Sequence, residues 1–111
     1  MKTASIKNKG RLLQKWVVYQ ILSRFSALTE DDVTSRSMGA GGEDVLLSPK
    51  ARSKFPFSIE CKNTQRINLY KFYEQAVQNS KDSHEPLLIV KSNGRKPLAV
   101  VDCEWFIRKW K

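Results

Sequence analysis

Hydrophobic residues recur along the chain at two spacings, and each spacing predicts a type of element. Across residues 11–28 an apolar side chain follows at every third or fourth position, which is typical of an amphipathic helix. The same spacing returns across residues 68–81. Residues 55–62 instead alternate apolar and polar side chains, which is the period of a strand. Short apolar runs predict further strands at residues 33–37, 43–48, 87–91 and 98–101.

Glycine, proline and polar residues mark the breaks between these elements. Residues 38–42 are rich in glycine, and residues 49–54 form a polar, basic segment that we interpret as a turn. Asn93-Gly94 is a hairpin signal between the last two strands. Asp102 is a candidate cap for a final helix that extends through Trp110.

The resulting order is helix, three strands, helix, two strands and helix. This order predicts a single α/β domain across residues 1–111, in which a mixed central sheet is flanked by helices. Residues 1–8 are basic and show no apolar period, so we expect them to form a flexible lead-in to the first helix.

The net charge of the chain indicates a class of binding partner. The chain carries 20 Lys and Arg against 11 Asp and Glu, a formal net charge of +9. Such an excess favours a polyanion, either nucleic acid or an anionic membrane surface. No apolar run approaches the roughly 20 residues that a membrane-crossing helix needs, so we expect no membrane association. The basic start is not followed by a long apolar run, so we infer no secretory signal and expect a cytoplasmic protein.

The cysteine and histidine content limits the metal chemistry that the chain can perform. Cys61 and Cys103 do not form a CxxC pair, and His84 is the single histidine. A zinc finger or a histidine-rich metal site is therefore excluded. Any metal bound by this chain must use oxygen ligands.

One pairing of strands would supply such ligands. If residues 43–48 and 55–62 form an antiparallel hairpin in which Ser48 faces Pro56, Asp44 lies opposite Glu60. Lys62 then lies on the same strand face as Glu60, one step along. A slip of one residue would move the two carboxylates to opposite faces, so the prediction depends on this register.

Carboxylate and carbonyl oxygens of this kind suit Mg²⁺ or Mn²⁺. Asp44, Glu60 and the main-chain carbonyl of Cys61 are the candidate ligands, and Lys62 is placed to position or activate a nucleophile beside them. The alternative is that Glu60 and Lys62 form an exposed ion pair with no catalytic role, which is common on strand faces.

The segments around these residues resemble a known family. Gly-Glu-Asp-Val-Leu-Leu and Phe-Ser-Ile-Glu-Cys-Lys-Asn are similar to motifs II and III of the PD-(D/E)xK nuclease superfamily, and the likeness extends from about Lys7 to Trp110. The superfamily shares the restriction-endonuclease-like fold with an αβββαβ core, and includes small Holliday-junction resolvases and related virus-encoded endonucleases. The resemblance implies that Asp44 and Glu60 bind metal and that Lys62 is catalytic.

The chain departs from the family pattern at some positions. Gln14 stands on the first helix where members often carry a metal-binding Glu. Glu43 replaces the proline that precedes the motif aspartate, and is either an accessory acid or a solvated strand end. Gln75 resembles a Gln or Lys that many members carry on the helix after the Glu-x-Lys strand, and we include it among the catalytic candidates.

What the resemblance implies is a Mg²⁺-dependent endodeoxyribonuclease that hydrolyses phosphodiester bonds in branched DNA. Resolution of a Holliday junction requires two symmetric cuts, so a homodimer is expected. For a virus-encoded enzyme, the location would be the host cytoplasm.

Several polar residues are candidate DNA contacts, and each has a simpler interpretation as a solvated loop residue. They are Ser35, Ser37, Lys50, Arg52 and Lys54. Two other functions stay open at this point: a basic nucleic-acid-binding protein without turnover, and a nuclease subunit that cuts only within a larger complex.

Overall fold

The computed structural model describes residues 3–36, 41–80 and 84–109, with side chains described from Asn8 onward. These residues form an α/β fold, as predicted. In chain order the elements are α1 (Thr3–Arg24), β1 (Val33–Ser35), β2 (Val45–Leu47), α2 (Pro49–Lys54), β3 (Phe57–Asn63), α3 (Leu69–Asn79), β4 (Glu85–Lys91), β5 (Leu98–Val100) and α4 (Cys103–Lys109).

The strands form one mixed sheet in the order β1-β2-β3-β4-β5. Only β3 and β4 run parallel, with Phe57 opposite Glu85 and Asn63 opposite Lys91, and α3 is the crossover between them. The other neighbouring pairs are antiparallel. The mixed sheet with flanking helices is therefore confirmed.

Each face of the sheet has its own apolar core. On one face α1 packs against β1, β2 and β3, where Val17, Val45 and Ile59 are buried in the same cluster. On the other face α3 packs against β3 and β4, where Ala76 and Leu88 are buried together. Because successive strand residues point to opposite faces, Ile59 lies under α1 and its neighbour Glu60 faces α3.

The first helix differs from the prediction at both ends. It begins at Thr3, so most of the predicted lead-in over residues 1–8 is helical, and it ends at Arg24 instead of continuing to residue 28. Lys9 gives a reason for order near the start: its Nζ donates to Asn93 Oδ1 at 2.8 Å, and its carbonyl accepts from Asn63 Nδ2 at 3.0 Å. Contacts between residues so far apart in the sequence cannot be predicted from a local apolar period.

The predicted turn over residues 49–54 is wrong, because this segment is the helix α2. Ser48 caps it by accepting from the Ala51 N–H at 3.1 Å, and Pro49 occupies its first turn. Ser followed by Pro is a helix-start signal that was available in the sequence.

The last part of the chain agrees with the prediction. Asn93-Gly94 lies between β4 and β5, with Gly94 at a φ of +73° that favours glycine. Asp102 caps α4 by accepting from the Trp105 N–H at 2.8 Å. Ser37 and most of the glycine-rich segment lie outside the described residues. No helix within the described ranges is long and apolar enough to cross a membrane.

Ser48 gives a test of how α2 is attached. Besides capping α2, its hydroxyl donates to Asp32 Oδ1 at 2.7 Å in the loop before β1. We expect Ser48→Ala to lower the free energy of unfolding by about 1 kcal/mol, the usual effect of losing an N-cap. Urea unfolding measures this change. Ser53→Ala on the same helix is the matched control, since Ser53 is exposed and its hydroxyl donates to the Lys50 carbonyl of the same helix; equal losses in both variants would contradict the capping role.

Candidate metal centre

The candidate site lies where β2 separates from β3. Val45 pairs with Ile59, which agrees with the register that was assumed in placing Asp44 opposite Glu60. The regular ladder stops there, because the Asp44 N–H donates to the carbonyl of Ile59 at 2.9 Å instead of continuing the pairing. Asp44 therefore lies at the edge of the regular pairing, directly before the chain enters β2.

The Asp44 side chain takes the place of the missing strand partner. Its Oδ2 accepts from the Cys61 N–H at 2.7 Å, and its main-chain carbonyl accepts from the Arg36 N–H at 2.8 Å. The N–H and C=O of one strand residue point to the same side, so the Cys61 carbonyl is directed toward Asp44 as well. This brings two of the predicted metal ligands together.

Glu60 supplies the third predicted ligand from the face covered by α3. It is 6% exposed, and its Oε1 accepts from Asn79 Nδ2 at 3.1 Å. Lys62 lies on the same face, with its Nζ 3.6 Å from Glu60 Oε2 and 5.3 Å from the centre of the Phe72 ring. The Lys62 side chain remains 27% exposed, so its ammonium can reach a bound molecule.

Burial and charge act together on Asp44. The pKa of this carboxyl is raised from 3.8 to about 6. Burial is the largest cause, and the nearby negative charge of Glu60 acts in the same direction. The Cys61 N–H, Lys62 and Arg36 act in the opposite direction but do not cancel the effect. The ionised form of Asp44 is therefore disfavoured, and a cation bound beside it would offset that cost.

The donor atoms fit Mg²⁺ or Mn²⁺. Two carboxylates and a carbonyl are hard oxygen ligands of the kind these ions prefer. Among the described residues no group of three or more His, Cys, Asp or Glu side chains is arranged to hold a metal. The Cys61 thiol does not change this, because the residue is buried in the α1 core and burial raises the pKa of the thiol. An ion bound by Asp44 and Glu60 would therefore keep open positions for water and substrate.

Asn79 belongs to this site, and sequence reasoning missed it. The prediction named Gln75, which is half-buried on α3 one helical turn earlier. Residues four apart share a helix face, so the position of Gln75 pointed toward Asn79. What could not be read from the sequence is that the later residue is the one that contacts Glu60.

Two other candidates belong to the side of the sheet that α1 covers. Ser35 pairs with Val45, whose side chain is buried under α1, so Ser35 faces that side of the sheet. Gln14 is 4% exposed on α1, the helix that packs on this face. Ser37 is outside the described residues.

The three basic residues of α2 do not form one surface. Lys50 and Lys54 are exposed, and Lys50 Nζ donates to the Ala27 carbonyl at 2.8 Å. Arg52 instead points inward, and its guanidinium pairs with Glu43, which is 2% exposed. The prediction that all three residues contact DNA is therefore not supported for Arg52, and Glu43 is not a solvated strand end.

Comparison of this chain with protein families, with curated proteins and with solved structures finds no significant match. The site is therefore interpreted from its own geometry.

The raised pKa of Asp44 gives a test in the metal-free protein. A carboxyl whose pKa is higher in the folded state adds stability while protonated, and this contribution is lost as the pH rises through about 6. We expect Asp44→Asn to raise the free energy of unfolding at pH 8 by about 1–2 kcal/mol, allowing for the partial exposure of the carboxylate. At pH 4 the variant and the wild type should differ little. Thermal and urea unfolding in EDTA measure both values.

Asp32→Asn is the matched control for this substitution. Hydrogen bonds from the Thr29 N–H and the Ser48 hydroxyl hold the pKa of Asp32 below its usual range. Asp32→Asn should therefore destabilise the protein at pH 8. Stabilisation by Asp32→Asn, or destabilisation by Asp44→Asn, would contradict the charge balance described for the site.

Proposed function

We propose that this protein is a divalent-metal-dependent DNA endonuclease of the PD-(D/E)xK type. The observation that carries the proposal is the hydrogen bond from the Cys61 N–H to Asp44 Oδ2, because it brings a second carboxylate beside Glu60 and Lys62. Two acids and a main-chain carbonyl can hold a divalent cation, and a lysine beside them can stabilise charge on a phosphodiester.

Each side chain has a role in this reaction. Asp44 and Glu60 would hold Mg²⁺ or Mn²⁺, which supplies activated water and neutralises negative charge on the phosphate. Asn79 holds Glu60 Oε1, which leaves Oε2 toward Lys62. The Lys62 ammonium donates to a phosphate oxygen or to the attacking water and stabilises charge that develops in the transition state.

Access and charge support a DNA substrate. The helix α3 covers β3 and β4, whereas Thr34 and Leu46 are exposed on the same face of β1 and β2. This open half of the face borders Asp44, so a backbone can approach the carboxylates from that direction. The net charge of +9 favours such a polyanion and predicts affinity that falls with salt. Lys50 and Lys54 stay candidate contacts in this proposal.

The finer parts of the proposal come from the family resemblance. They are activity on branched DNA such as a Holliday junction, a homodimer that makes two symmetric cuts, and a cytoplasmic location. Cleavage of a four-way junction, compared with a linear duplex of the same sequence, tests the substrate. Sedimentation equilibrium tests the dimer.

A nucleic-acid-binding protein without turnover is the second candidate. It is favoured by the small number of acids, because the described residues assemble no group of three or more acidic, His or Cys side chains and α1 carries the uncharged Gln14. Such a protein would bind DNA equally well in Mg²⁺ and in EDTA and would cut it in neither.

The first test is cleavage of a supercoiled plasmid and a four-way junction. We expect cutting with Mg²⁺ or Mn²⁺ and none with EDTA. Glu60→Gln should abolish cutting and leave DNA binding intact or stronger, since it removes a metal ligand together with a charge that repels phosphate. Glu74→Gln, an exposed acid on α3, should cut like the wild type. Cutting by Glu60→Gln at the wild-type rate would overturn the assignment of the site.

The second test separates catalysis by Lys62 from a structural ion pair. Lys62→Ala should reduce the single-turnover rate at least about a hundredfold, or about 2.7 kcal/mol of barrier, and leave metal affinity unchanged. Lys62→Arg keeps the charge but not the reach, so it should restore activity only in part. Lys71→Ala, an exposed lysine on α3, is the control. A folded, metal-binding Lys62→Ala protein with near-normal cleavage would reduce this residue to an ion-pair partner.

A further inference from the structure

We propose that Arg52 is a positioning residue for Asp44 and acts through Glu43. The role assigned to Asp44 rests on the proposed function, but the contact itself does not. The sequence suggested Arg52 as a phosphate contact, and its place in the structure points to a different task.

Arg52 links the residue before Asp44 to the start of β3. Its Nη2 donates to both carboxylate oxygens of Glu43, at 2.7 and 2.5 Å, and its Nη1 donates to the Phe57 carbonyl at 2.9 Å. The Arg52 side chain is 14% exposed and that of Glu43 is 2% exposed. One guanidinium thus ties the chain entering β2 to the chain entering β3, with α2 as its support.

Arg36 holds the same segment from the other side. Its Nε donates to the Glu43 carbonyl at 2.5 Å, and its own N–H donates to the Asp44 carbonyl at 2.8 Å. Gly42 has a φ of +89°, and a Cβ there would lie 3.4 Å from Arg36 Nη2. Arg36 therefore holds the Glu43 and Asp44 carbonyls, whereas Arg52 holds the Glu43 side chain and so fixes the residue next to Asp44.

The buried pair of Arg52 and Glu43 is better explained by the position that it gives to Asp44 than by a gain in stability. Burying two charges costs desolvation energy, and an apolar pair of similar size often folds as well or better. What an apolar pair cannot supply is three directional hydrogen bonds that set the position of the next residue. The planar fork of Arg provides them, whereas Lys offers a single ammonium.

The experiment compares Arg52→Met, the double variant Glu43→Gln/Arg52→Met, and Arg52→Lys in the full chain. Arg52→Met leaves Glu43 buried without its partner, so its melting temperature should fall. The double variant removes both charges and should recover most of that loss. Arg66→Met, at an exposed position outside the site, is the control.

Amide hydrogen exchange in the metal-free protein separates a local effect at Asp44 from a general loss of stability, because a general loss would change the exchange of distant amides as well. The Cys61 and Arg36 amides both donate to Asp44, and Thr64 donates to the Lys91 carbonyl elsewhere. In the double variant, the first two amides should exchange at least about tenfold faster while Thr64 stays at the wild-type rate. Arg52→Lys should remain folded and lie between the wild type and the double variant.

Metal binding is the second readout. Calorimetric titration with Mn²⁺ should give an affinity roughly 10- to 100-fold weaker in the double variant, the range for residues that orient metal ligands. Wild-type exchange of the Cys61 and Arg36 amides in both the double variant and Arg52→Lys would overturn the positioning role. If the wild type itself binds no Mn²⁺, the proposed function fails while the exchange result still decides the role of Arg52.

Discussion

The candidate site depends on the hydrogen bond between the Cys61 N–H and the Asp44 carboxylate. A strand N–H that loses its neighbour must find another acceptor, because a buried amide without a partner costs free energy. Here β2 ends its pairing with β3 at Val45, and Asp44 supplies the acceptor from its side chain. The same bond satisfies the sheet and fixes a carboxylate beside Glu60. One hydrogen bond therefore both completes the main-chain pairing at Cys61 and positions the Asp44 carboxylate.

This arrangement has a cost in the metal-free protein. Asp44 and Glu60 are held close enough for each charge to oppose the other, and burial disfavours the ionised form of Asp44. The opposing charges of Lys62 and Arg36 reduce that cost without removing it. Residues that suffer such a cost need support from the rest of the fold, and Arg52 with Glu43 supplies it on one side.

The sequence predicted the elements that have a regular apolar period. Their register was assumed from a pairing of Ser48 with Pro56 around a turn; Val45 does lie opposite Ile59, although the intervening segment is the helix α2. The sequence could not predict Asn79, because the residue of α3 that reaches Glu60 depends on how the helix crosses the sheet. Arg52 was predicted to contact DNA because it lies in a basic segment. Such a segment does not indicate which of its side chains turns inward to pair with a buried acid.

The proposed metal ligands are held by separate packing units, so their separation depends on how these units lie against each other. Glu60 and Lys62 belong to the β3-α3-β4 crossover, where Asn79 orients the acid and Phe72 lies beside the lysine. Asp44 directly precedes β2, where the Arg36 N–H donates to its carbonyl and the neighbouring Glu43 pairs with Arg52 of α2. At the site the two units are joined by the Cys61 amide, which donates to Asp44 Oδ2, and by the Asp44 amide, which donates to the Ile59 carbonyl, so the separation of the carboxylates depends on how β2 lies against β3. Because a cation attracts both carboxylates at once, its binding should stabilise the join between β2 and β3 more than any other part of the sheet.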